Sequence, residues 1–439
     1  MKLCRMAVLA VLAVVLVFGG VELNAQPLGA DPEMEKADLL LRLAALEKEV
    51  AQLRLALATV NAPHSEPGTE PAAPAATPAA ASAVTTPVES TAHPVTISGL
   101  LGSTTLSGFV DLNYGFNFNQ PANRTTGLRS FDAPANQFAL NMVELVADKP
   151  AETASRFGYH VALGFGNAMN AVNASDPGGL GFAQYLKEAY LSYMVPVGSG
   201  LTFDFGKFVT PHGAEVIESK DNWNYSRGLL FSWAIPYYHF GARAKYAFNS
   251  KYAITGYLVN GWNNVLDNNT GKTLGVSFAW TPSKKFGITQ NYMAGPEGLN
   301  TNSHWRQLSD TVVTFTPSSR LSLMLNYDYG RGDYLPLGTR PVFWTGVGGY
   351  VRYAFDSRYA VATRYEYYDD HDGFTTGTPQ HLHEVTQTVE RLIGKGLITR
   401  LELRHDSSTA PVFMKGTVPV SRQTTLAAGM IYQFTTHQE

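Results

Sequence analysis

Arg243 and Lys245, Arg364 and Glu366, and Arg400, Glu402 and Arg404 are charged residues spaced two apart. In an extended chain that spacing puts them on one face, because successive side chains of a strand point to opposite sides. Arg352 falls on the polar face of its own segment. A row of fixed charges on one wall does not break bonds. It attracts or repels ions that pass through an enclosed aqueous space, so its chemistry is selection. Six of these eight residues are basic, which gives a mild preference for anions, with Asp111, Asp204, Asp310 and Asp328 as partial counterweights.

A second group lies on one long polar stretch, about Thr210 to Ile235. It holds Glu215, Glu218, Lys220, Asp221, Trp223, Tyr225 and Arg227. Folded inward, the stretch would narrow a pore with opposed charges (Glu215, Glu218, Arg227) and stacking aromatics (Trp223, Tyr225). Folded outward, it would pack on a rim. Both readings stand on sequence.

Nothing comparable points to catalysis. His381, His383 and Glu384 resemble part of a metal cluster, but no His follows at the H-E-x-x-H spacing. His371 with Asp369, Asp370 and Asp372 reads as a hydrated loop rim. There is no G-x-S-x-G and no phosphate-binding Gly loop. The single Cys, Cys4, excludes an internal disulfide scaffold and a Cys-rich metal site. The expectation is no enzyme, no catalytic residue, no cofactor and no metal.

The elements that carry these charges read as long strands. Leu106, Gly108, Val110, Leu112, Tyr114, Phe116 and Phe118 share one face, and Thr105, Ser107, Asp111, Asn113, Gly115 and Asn117 the other, with Phe109 the exception. The pattern recurs at 240–248, 321–329, 359–367 and 397–404. A strand of more than ten residues with one apolar and one polar face fits a transmembrane β-barrel. Short turns at 248–251, 281–284, 316–319, 355–358 and 393–396 alternate with longer polar loops at 261–270, 295–303, 332–341, 370–379 and 407–421. The count is about 16 strands, from 104–118 to 422–435, although 137–149 and 182–195 alternate poorly. An even count places both barrel termini on the short-turn, periplasmic side.

The rest of the chain differs in composition. Of 23 Phe, 22 Tyr and 6 Trp, only Phe18 precedes Phe109. Residues 1–25 read as a signal peptide: Lys2 and Arg5, an apolar run from Met6 to Phe18 that is too short to span, and a cleavage site near Ala25. Residues 33–60 carry Leu39, Leu43, Leu46, Val50, Leu53, Leu57 and Val60 at alternating spacings of four and three, an α-helical coiled-coil seam. Arg42 with Glu47, and Glu49 with Arg54, attract in a parallel, in-register oligomer. A trimer fits the Leu-rich a positions, and a single helix docked elsewhere is the other reading. Residues 61–95 form a Pro/Ala-rich linker. Residues 100–439 are the barrel. With 33 Lys+Arg against 36 Asp+Glu the net charge is −3, and no basic face suggests a nucleic-acid partner.

Asp204-Phe205-Gly206-Lys207-Phe208-Val209-Thr210-Pro211-His212-Gly213-Ala214-Glu215, Asn222 to Arg227, and Ile235 to Gly241 carry a family resemblance. They are similar to the G-K-F-x-T-P-x-G-x-E, N-Y-S-R and P-x-x-H-x-G stretches of the OmpL-like β-barrel porin-2 family. The last strand ends in Tyr432-x-Phe434, which resembles an outer-membrane assembly signal, although five residues follow it. The resemblance covers roughly residues 100–439. It implies an all-β, transmembrane antiparallel barrel in the bacterial outer membrane, with the N-terminal segment in the periplasm. The expected function is passive diffusion of small hydrophilic solutes or ions, with outer-membrane lipid around a homotrimer. The alternative is a structural anchor whose coiled coil holds peptidoglycan or a periplasmic partner.

Overall fold

The computed structural model describes residues 104–179, 181–333 and 340–436. The signal peptide, the coiled coil and the linker lie outside the described residues.

The first half of the chain supplies β1 (Thr105–Asn117), β2 (Gln137–Lys149), β3 (Phe157–Phe165), β4 (Leu186–Val195), β5 (Leu201–Val209), β6 (Tyr238–Ala247), β7 (Tyr252–Val259) and β8 (Thr273–Ser283). The second half supplies β9 (Phe286–Gly298), β10 (Thr301–Phe315), β11 (Leu321–Gly332), β12 (Val342–Ala354), β13 (Tyr359–Asp370), β14 (Gln380–Ile393) and β15 (Leu397–Ser408). A small hairpin, β16 (Phe413–Lys415) with β17 (Val418–Val420), precedes β18 (Arg422–Thr435). A short helix, α1 (Asn167–Asn173), lies between β3 and β4.

Sixteen of these strands close into one antiparallel barrel, each beside its sequence neighbour, with β18 sealing against both β15 and β1. The seam register pairs Ser107 with Thr435 and Asn117 with Thr425. Closure leaves no unpaired edge, which is what a sheet needs in a medium without water. No helix among the described residues is long and apolar enough to cross a membrane.

Alternation sorts the side chains. On β13, Tyr359 and Tyr365 are exposed outward while Ala360, Ala362, Arg364 and Glu366 are buried inward. On β15, Leu401 is exposed while Arg400, Glu402 and Arg404 are buried. An Arg or Lys on the lipid face near midplane would cost about 2–4 kcal/mol, and these strands turn theirs inside. Phe109 belongs to the inner face and is fully buried.

The two poorly alternating segments each carry a β-bulge. The β1–β2 ladder shifts register between Asp111 and Leu112, so Asn141 and Met142 are consecutive buried residues. The β3–β4 ladder shifts between Ala162 and Leu163, so Lys187 and Glu188 are both buried. A bulge inserts one residue and changes the phase of the strand, which erases a period-two signal in sequence. One loop expectation is corrected. At 295–303, β9 and β10 run on to Gly298 and Thr301 and turn at 299–300. Asn300 takes the left-handed turn conformation there, with φ 55°. The hairpin tip is braced by the 260–272 loop through Asn302 Nδ2 to Thr270 Oγ1 at 2.8 Å.

Candidate functional site

Residues 210–237, between β5 and β6, fold into the barrel and are held there by the inner wall. The two grow from different parts of the sequence. The segment supplies main-chain N–H and C=O groups that have no strand partner, and the wall supplies charged side chains at alternate positions. A buried main-chain polar group without a partner is costly, so each wall charge that meets one stabilises the docked segment.

Glu402 accepts from the main-chain N–H of Tyr225 at 2.6 Å and of Ser226 at 3.0 Å. Glu366 accepts from the N–H groups of Leu229 and Leu230 and from the Tyr350 hydroxyl. Arg400 donates to the carbonyls of Ser219, Asn222 and Asn224 and pairs with Glu390 at 2.7 Å. Arg404 donates to the Arg227 carbonyl at 2.7 Å and pairs with Asp406 at 2.7 Å.

Arg364 is the hub. Its Nη1 donates to Glu215 Oε1 at 2.5 Å and to the Ser226 carbonyl at 2.6 Å, and its Nε donates to Glu384 at 2.6 Å. Its side chain is fully buried. Glu215 also accepts from the Gly228 N–H at 2.5 Å. Gly228 is required by this approach: a Cβ there would lie 2.2 Å from Glu366 Oε1. Gly429 of β18 gives the same clearance to the Tyr225 ring, at 2.6 Å.

Other wall strands hold the remaining turns of the segment. Asp111 accepts from Ser219 Oγ at 2.6 Å and from the Tyr225 hydroxyl at 2.9 Å. Asp310 and Asn326 accept from the N–H groups of Gly213 and Ala214. His212 meets the Tyr257 hydroxyl at 2.8 Å, and burial pushes its imidazole well below the ordinary histidine range. The bulges contribute here. Asn141 donates to Asp111, and Lys187 pairs with Glu218 of the segment and Glu144 of β2.

The wall residues singled out by spacing therefore separate into two sets. Arg364, Glu366, Arg400, Glu402 and Arg404 are buried against the segment. Arg243, Lys245 and Arg352 lie nearer the short-turn end and keep side-chain exposures of 15%, 42% and 28%. Arg243 and Lys245 both pair with Asp204, at 2.7 and 2.8 Å, and Arg352 pairs with Glu390 at 2.9 Å. Of the segment residues, Glu215, Tyr225 and Arg227 are buried and Glu218 is paired with Lys187. Arg227 donates to the Ile217 and Tyr225 carbonyls within the segment. Trp223 is half-buried.

Sequence reasoning missed Lys187 and Asn141, whose signal was hidden by the bulges. It discounted Glu384 as a broken metal motif, and two-residue spacing from Thr386 and Leu382 on its own strand was the clue to its inward direction. His371 and His381 both contact Asp369, at 3.0 and 3.2 Å, and no group of three or more metal-binding side chains occurs among the described residues.

The sequence matches the beta-barrel porin-2, OmpL-like family over residues 103–434. No curated protein matches it. Among solved structures, the anion-selective porin from Comamonas acidovorans is similar with a TM-score of 0.52 and 11% identity, covering 76% of this chain and 99% of that one. The outer membrane channel DcaP of Acinetobacter baumannii gives 0.50 and 11%, over 75% and 97%. A loop-deletion mutant of OmpT from Vibrio cholerae gives 0.50 and 11%, over 76% and 100%. At these identities the likeness is one of fold.

Proposed function

Because the chain belongs to the OmpL-like β-barrel porin-2 family, we propose that this outer-membrane porin passes small hydrophilic solutes by diffusion through a lumen narrowed by residues 210–237. The observation that carries the reading is the inner segment itself. It is fixed to the wall by buried charge pairs and main-chain hydrogen bonds, so it sets the width of the passage as a rigid part. Glu215, Glu218, Trp223, Tyr225 and Arg227 belong to that constriction. Ions meet the partly exposed Lys245 and Arg352 directly and Arg243 to a lesser extent, whereas the buried arginines and glutamates act by holding the segment. With Asp204 and Glu390 beside those three cations, anion preference is mild.

The short-turn end faces the periplasm in this reading, and both barrel termini lie there, as the pairing of Ser107 with Thr435 requires. The heptad seam of 33–60 supports a homotrimer. A second reading, a structural anchor with little conduction, is favoured by the burial of five of the eight wall charges against the segment. Planar-bilayer recording of purified protein separates the two. Stable single-channel steps support the channel, and a folded, heat-modifiable barrel without current supports the anchor. Native mass measurement with and without residues 26–95 tests the trimer and the role of the coiled coil.

A further inference from the structure

At the long-loop end of the barrel a separate hollow of about 470 Å³ opens between the inner segment and the loops. That lies within the roughly 300–1,000 Å³ of small-molecule sites. Arg306 of β10 reaches into it. Its guanidinium carbon is 4.8 Å from the centre of the Trp262 ring and 4.9 Å from that of Phe374. Trp344 closes the back, stacked on Phe374 at 5.4 Å and edge-on to Trp262 at 6.1 Å. Its indole N–H is already given to the Ala234 carbonyl at 3.0 Å, so it holds the wall in place. Trp233 of the inner segment lines the other side.

Arg306 differs from every arginine of the constriction. Those are saturated with carboxylates and carbonyls. Arg306 Nε is buried with no acceptor, and no carboxylate among the described residues lies within ion-pair distance of the guanidinium. The neighbouring acid, Glu297, forms no ion pair with it and accepts instead from the Trp262 main-chain N–H at 3.0 Å and from Thr273 Oγ1 at 2.9 Å. A guanidinium held over two aromatic rings, with no carboxylate on its N–H fork, is positioned for a planar oxyanion. Aromatic walls around it suit a flat apolar body better than a fully hydrated ion.

We propose that this hollow binds a small organic carboxylate, the carboxylate on the Arg306 fork and a planar apolar body against Trp233 and Trp262. The proposal deepens the porin reading by naming a solute class that pauses at the mouth before the constriction. A bound carboxylate supplies the acceptor that Arg306 lacks, and the site releases it readily because one wall is open to the vestibule.

The test uses full-length protein in detergent micelles, titrated calorimetrically with benzoate, benzyl alcohol and acetate. Wild type should bind benzoate at least about tenfold more tightly than R306M does, the loss of a charge-assisted pair. Benzyl alcohol lacks the anion and acetate lacks the ring, and both should bind more weakly than benzoate. R306K keeps the charge without the fork and should fall between wild type and R306M; it carries the comparison if R306M does not fold. Equal benzoate affinity in wild type and the variants, or no benzoate binding to folded wild type, overturns the proposal. Acetate binding as tightly as benzoate overturns the part assigned to the rings. The porin reading is tested apart from this, by current in planar bilayers. A protein that binds benzoate but carries no current keeps the site and loses the channel, and one that conducts without binding does the reverse.

Discussion

Replacing Arg364 with Met should release the inner segment without opening the barrel. Arg364 is fully buried and joins Glu215 of the segment to Glu384 of the wall, with the Ser226 carbonyl as a third acceptor. Its removal leaves the Glu215 carboxylate buried without its cation, while Glu384 keeps Arg404 at 3.1 Å. Breaking one partner of a buried pair costs about 3–5 kcal/mol, and at 1.4 kcal/mol per factor of ten the undocked population rises by about 100-fold or more. The wall strands themselves keep their ladders, since Arg364 contributes only its side chain. The readout is the labelling rate of a thiol placed at Leu229, 1% exposed in the docked segment, using L229C in a C4S background with a water-soluble reagent. When opening and closing are fast, that rate follows the open population. R364M should label about 100-fold faster and show larger, noisier single-channel currents. E215Q added to R364M removes one stranded charge and should recover part of the difference. A folded R364M barrel with an unchanged labelling rate refutes the argument that this pair holds the segment.

Other perturbations reach the same structure from different sides. G228A drives a Cβ onto Glu366 and should weaken docking by about 1–3 kcal/mol, the usual range for overpacking, seen as faster labelling at Leu229 with heat-modifiable mobility intact. K245E reverses a half-exposed cation beside Asp204 and should move the reversal potential under a salt gradient toward cations, whereas a conservative change at the buried Arg400 should act on conductance first. His212 is neutral in the docked segment because burial opposes its charge. Once undocked, its imidazole regains an ordinary value near 6.5 and takes up a proton as pH falls below that point, so acid favours release and the stabilisation is complete above it. Labelling at Leu229, divided at each pH by the reagent's rate with a free thiol because only the thiolate reacts, should therefore quicken from pH 7.5 to pH 5, and H212Q should flatten that dependence.

Much of this architecture is visible in sequence wherever a strand has lipid on one side and the lumen on the other. On β6, β13 and β15 the alternation is unbroken and on β1 only Phe109 departs from it, and the inward direction of Arg364, Glu366, Arg400 and Glu402 follows from it. It is not visible at β2 and β4, where Asn141 and Lys187 are inserted by bulges and the phase changes within the strand. The inward course of residues 210–237 is also hidden. A polar stretch that packs on a rim and one that packs in a lumen have the same composition, and the partners that decide between them, from Asp111 to Glu402, lie far away in the chain. Arg306 stands out only in three dimensions, because Trp262 and Phe374 come from loops on either side of it.

The inner segment touches Asp111 on β1, Tyr225 sits over Gly429 on β18, and Arg400 and Glu402 grip it from β15. Those strands meet at the seam that joins the two ends of the chain. A ring of sixteen strands has to bring residues more than three hundred positions apart into register at that joint, which is the slowest kind of contact to make by random search. A mid-chain piece that binds both sides of the joint shortens the search, acting as a mandrel around which the first and last strands are drawn together. The part that limits what passes through the finished cylinder would then also be the part that helps it to close.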